Sequence, residues 1–130
     1  MNKYLVCLSV LALCLSLTGA VTKHELEKLI HQANVQVRAR ESIMIQMAAK
    51  EVMLEGTPLQ QACAGSSLGT GYRDLNLAMN RELGAVENEY RLYTQEQIEN
   101  LEATSLSEAL FKRYSAASTA QNAINKIKSC

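Results

Sequence analysis

Residues 62–72 read "ACAGSSLGTGY", and the reading of this stretch decides the fold. Inside it, Gly65-Ser66-Ser67-Leu68-Gly69 matches G-x-S-x-G. In that pattern a strand feeds a strained turn that lifts a nucleophilic serine above a sheet. The alternative is a glycine-rich connection between helices. The residues just upstream favour the second reading: Thr57 fits a helix cap, Pro58 the first helical position and Gln60 the closing residue of a capping box. They predict a short helix carrying Cys63 and ended by Gly65. Residues 64–71, with Gly65, Gly69, Gly71 and two serines, then read as a flexible connection. An elbow enzyme also needs an acid and then a histidine downstream of its serine. Here His24 and His31 both lie upstream, and Asp74 is the sole aspartate. Ser67 reads as a loop residue, and no catalytic residue is expected.

Moving outward, every long segment has helical spacing. Thr22 and Glu25 form a capping box, flanked by Val21 and Leu26 as a hydrophobic staple. Leu26, Ile30, Ala33 and Val37 then set an apolar stripe, which Met44, Met47, Ala48, Val52 and Leu54 widen. Arg40 interrupts it, and Gly56 followed by Pro58 ends it near Glu55. After residue 71, Met79, Leu83, Val86, Tyr90 and Tyr93 step by four and three, a seam of coiled-coil type. Thr94 to Gln97 either recaps the chain or is passed straight through. Ser105 and Glu108 suggest another capping box, opening a last helix along Leu106, Leu110, Tyr114, Ala117, Ala120, Ile124 and Ile127. No run alternates as a strand does. The expected fold is all-α: an elongated bundle of three long helices plus one short helix.

The first twenty residues, "MNKYLVCLSVLALCLSLTGA", place Lys3 before an apolar run and small residues after it. That is the layout of a secretory signal peptide, cleaved after Ala20. Residues 21–130 would then form a single helical domain, secreted and extracellular. With Lys3 removed, 12 basic residues face 13 acids, a net charge of about −1 that attracts neither nucleic acid nor an anionic membrane. No later apolar run approaches spanning length. Cys7 and Cys14 leave with the signal, so Cys63 and Cys130 are expected to pair in an oxidising compartment. The bridge would close a loop of ~68 residues and contribute ~4 kcal/mol in the chain-entropy view.

Candidate chemistry is sparse. His24, Glu27 and His31 share one helix face, but the histidines stand about 10 Å apart along the axis, too far to hold one ion together. A solvated face is expected there, with no metal and no cofactor. An extended first helix cannot be covered along its whole length by so small a domain. Its middle, Arg38, Arg40, Ile43 and Met47, together with the segment around Ser66 to Tyr72, is the expected partner-binding surface. Charge reversal at Arg38 and Arg40 is expected to weaken binding without loss of helix.

The signal, the mature length, the helical patterning, the Cys63–Cys130 pair and the closing "NKIKSC" (residues 125–130) resemble the small salivary proteins of blood-feeding anopheline mosquitoes, the anophensin and albicin group. The resemblance implies a non-enzymatic inhibitor of host defence cascades, either the alternative complement pathway or kallikrein–kinin contact activation. Such an inhibitor would bind a plasma protease or complement complex as a monomer or homodimer. It supplies no motif from which site residues carry over. Two other classes fit the sequence: a bacterial periplasmic helical component of a secretion or conjugation apparatus, and a carrier of small apolar ligands, which would need a cavity.

Overall fold

Thr22 opens the first helix as its capping box predicts: its hydroxyl accepts from the Glu25 N–H, and the Glu25 carboxylate accepts from the Thr22 N–H, both at 3.1 Å. This helix, α1, spans Lys23–Glu55 and is followed by α2 (Pro58–Arg91), α3 (Gln95–Glu99), α4 (Ala103–Ala116) and α5 (Ala120–Lys128). The computed structural model describes residues 21–130, and no strand occurs among them. The expected signal segment, 1–20, lies outside the described residues. Among the described residues no helix is long and apolar enough to cross a membrane.

Two helices, of 33 and 34 residues, dominate. Each is about 50 Å long. They join at Gly56 and Thr57. Gly56 keeps an extended φ of −82°. Glycine is needed here for space, because a side chain would run into the Val52 carbonyl, which accepts from the Gly56 N–H at 2.7 Å. Gln61 Nε2 adds a bond to the Met53 carbonyl at 2.9 Å, satisfying another exposed end of α1. Thr57 and Gln60 make the second expected box, at 2.8 and 3.3 Å.

The expected break at residues 64–71 does not occur. Helix α2 continues through Gly65, Gly69 and Gly71 to Arg91. Glycine costs a helix interior roughly 1 kcal/mol relative to alanine, and tertiary packing overrides that cost here. Gly71 is buried where three helices meet: an added Cβ would lie 2.9 Å from Ala123 Cβ and 3.4 Å from Ile45 Cγ2. Only a residue without a side chain lets α1, α2 and α5 approach that closely.

The last third departs from the sequence reading in the opposite direction. Thr94 does recap the chain, accepting from the Gln97 N–H at 3.2 Å, so α2 and α3 are separate. The expected cap at Ser105 is absent: α4 starts earlier, at Ala103, after Glu102, which makes no side-chain cap bond. Ala103 and Leu106 are both buried, and their packing fixes the start instead. The continuous helix expected from Leu106 to Ile127 is divided at Ala117–Thr119. Ser118 Oγ accepts the Ala120 N–H at 3.1 Å and steadies the second start. Among the described residues the result is two long helices and three shorter ones.

Helix α1 packs against α2, α4 and α5, and α5 also packs against α2. One core runs through these contacts, from Leu26 and Ile30 through Val37, Ile45, Leu75 and Met79 to Leu110, Tyr114, Ile124 and Ile127. A disulfide closes it. Cys63 and Cys130 are joined with their Cα atoms 5.8 Å apart, across 67 residues of sequence.

A candidate interaction surface on the first helix

The buried stripe of α1 is not the one the methionines suggest. It follows Ile30, Ala33, Asn34, Val37, Glu41, Ile45, Ala48 and Ala49. Beyond Val37 the 3.6-residue period passes through Glu41, one position after Arg40. Glu41 is buried, and its Oε1 accepts from Arg40 at 2.8 Å. Arg40 also donates to Ser115 Oγ at 3.1 Å, and its guanidinium lies 4.7 Å from the centre of the Phe111 ring. A buried carboxylate is tolerable only with such a partner.

This shift of register turns the other apolar residues outward. Ile43, Met44, Met47 and Leu54 are exposed by 56, 43, 61 and 74 %. At spacings of one, three and seven they share one side of the helix, with Arg40 on the same side one turn before Ile43. Three of the expected partner-binding residues, Arg40, Ile43 and Met47, therefore sit together. The other two lie elsewhere. Arg38 faces α2, where it donates to Asn80 Oδ1 at 2.7 Å, and it also donates to Asn34 Oδ1 of its own helix at 2.9 Å. Tyr72 belongs to α2 and is half-buried against the core. The segment from Ser66 to Tyr72, expected as a loop, is helix. Leu54 and Met44 complete the surface. The exposure of Leu54 was hidden in the sequence because a polar residue, Glu41, occupies the core position that would have assigned the stripe.

The two sites weighed for chemistry are placed as well. Ser67 stands inside α2 with helix on both sides, and its Oγ is 3.8 Å from Cys130 Sγ. The strand and turn of a nucleophile elbow are absent there. His24 is exposed, while His31 Nε2 lies 3.0 Å from Glu87 on α2. Among the described residues no group of three or more His, Cys, Asp or Glu side chains is placed to hold a metal ion.

Elsewhere, Arg113 of α4 reaches two acids of α2, Glu82 and Glu89. Its bond to Glu89 raises its pKa further. Tyr114 is buried, and desolvation pushes its phenol up to about 12, with the nearby Glu87 charge adding to the shift. No family model matches the chain, and neither a curated protein nor a solved structure matches it.

Proposed function

We propose that the protein is a secreted, non-catalytic binding protein that inhibits a host defence cascade by occupying a surface of one of its protein components. The observation that carries protein binding is the exposed side of α1: Ile43, Met44 and Met47 adjoin one another, and Leu54 follows two turns further along the same side. Single exposed apolar residues are ordinary, but a contiguous set points to a partner. Methionine suits such a surface because its unbranched thioether adapts to the shape it meets.

The scaffold supports the same reading. An elongated bundle whose helices are tied by the Cys63–Cys130 bridge loses little freedom on docking, so more of the contact energy appears as affinity. The disulfide fits an oxidising compartment, in keeping with the export signal read from residues 1–20. The cascade itself, alternative complement or kallikrein–kinin contact activation, follows from the resemblance to the mosquito salivary group.

Arg40 is the wrong residue with which to probe this surface, because it partners the buried Glu41. Ile43 and Met47 are the right ones. The protein should inhibit alternative-pathway haemolysis or plasma kallikrein generation. The double variant Ile43→Ser with Met47→Ser should inhibit about tenfold less at unchanged helical circular dichroism. Absence of inhibition in both assays removes the cascade assignment. Undiminished inhibition by the double variant moves the docking surface away from α1.

A further inference from the structure

The other half of α1 carries a separate feature. A groove of about 1040 Å3 runs between the N-terminal half of α1, the end of α2 and α3. Its volume is at the upper end of that of small-ligand clefts, and it is open to solvent along one side. Apolar groups line it: the core residues Leu26, Ile30 and Ile98, the exposed Val35, and Tyr90 and Tyr93, whose rings sit 4.8 Å apart.

The charges along this groove are polarised. Lys23 and Lys28 lie in the first two turns of α1. Arg91 is the last residue of α2, which runs antiparallel to α1, as the Asn34–Met79 and His31–Glu87 contacts require. All three cations therefore gather at one end. Glu27 and Glu87 share that region, the latter in contact with His31, so three cations face two carboxylates and one positive charge remains in excess. The opposite end is lined by Gln32, Val35 and Gln36 and carries no charge. From Lys23 to Gln36 the groove follows α1 for about 20 Å.

A lining that offers apolar contacts from Tyr93 and Leu26 through Ile30 to Val35, and carries an excess of positive charge at one end only, is complementary to a molecule with an anionic head and a hydrocarbon tail. We infer that this groove binds a long-chain fatty carboxylate, with its head among Lys23, Lys28 and Arg91, its first methylenes against Tyr90 and Tyr93, and its tail over Ile30 toward Val35. The site is independent of the protein-binding strip, which begins two turns further along α1.

Oleate and oleyl alcohol share a tail and differ at the head. Isothermal titration of the protein with oleate below its micelle concentration should give saturable one-to-one binding. Tyrosine emission, unobscured because the chain has no tryptophan, should change in parallel. Oleyl alcohol should bind about tenfold more weakly, and Lys28→Gln with Arg91→Gln should bring oleate down by a similar factor while leaving the alcohol unaffected. Val35→Glu should weaken both ligands. Non-saturable uptake, equal binding of acid and alcohol, or full oleate affinity in the double variant would each overturn the assignment.

Discussion

At the scale of single residues, the long helices are held in register by polar groups as much as by apolar ones. Asn34 is buried and donates to the Met79 carbonyl at 3.0 Å, while Arg38 joins Asn34 to Asn80. A slip of α1 along α2 would strand these groups without partners, at about 1–3 kcal/mol each. Tyr114 is a different case. Its hydroxyl is buried and finds no hydrogen-bond partner, so the ring's packing holds it in place. The raised phenol pKa has a signed consequence. Below about pH 10, folded and unfolded chains both hold the proton and stability is unaffected. Between that value and about 12 the unfolded chain releases it and the native state does not, so stability falls as pH rises. Tyr114→Phe should therefore be nearly neutral near pH 7, within about 1 kcal/mol, because it removes an unpartnered hydroxyl. It should also flatten the decline between about pH 10 and about pH 12. Urea unfolding followed by circular dichroism checks both, and parallel declines in the two proteins would refute the role given to Tyr114.

The elements show where sequence was sufficient. The capping boxes at Thr22 and Thr57 form as expected, and the one at Thr94, which the sequence left open, forms too, because a threonine followed three residues later by Glu or Gln is a local signal satisfied by local bonds. The misreadings all come from signals decided at long range. The three glycines of 65–71 mark a break in an isolated peptide, yet Gly71 is there for Ala123, more than fifty residues away. The alanines near 117 are good helix formers, and the chain still divides there. Of the candidate surface, Ile43 and Met47 were legible because a rod that long cannot be covered, whereas Arg38 was misplaced because only the fold shows Asn80 beside it. The glycines allow a direct comparison. Nothing lies within 4 Å of a Cβ built at Gly69, so Gly69→Ala should stabilise by about 0.5–1 kcal/mol through helix propensity. Gly71→Ala gains the same propensity but drives a methyl into Ala123. Overpacking of about 1–3 kcal/mol should leave it less stable than the parent. Thermal melts of the two variants should shift in opposite directions, and a shared direction would mean that Gly71 is not a close-packing site.

For the whole molecule, the disulfide decides how the last helix is kept. Helix α5 has nine residues, too short to persist in water without tertiary contacts. Its Ala120, Ala123, Ile124 and Ile127 are buried against α1 and α2, and Cys130 ties the segment just beyond it to Cys63. Opening the bridge releases an unfolded-state constraint spanning 67 residues. The expected loss is about 2–5 kcal/mol of global stability. It also leaves α5 held by its apolar face alone. The amides of α5 should then exchange with solvent through local opening, while those of α1 near Val37 and Ile45 still require global unfolding. In Cys63→Ser with Cys130→Ser, hydrogen exchange should accelerate most in residues 120–128. The circular dichroism of the folded state should change little, because the two long helices and α4 keep their shared core. Uniform acceleration across all helices would instead make the bridge a purely global staple. Unchanged exchange in α5 would show that the contacts around Gly71 and Ile127 hold it without help.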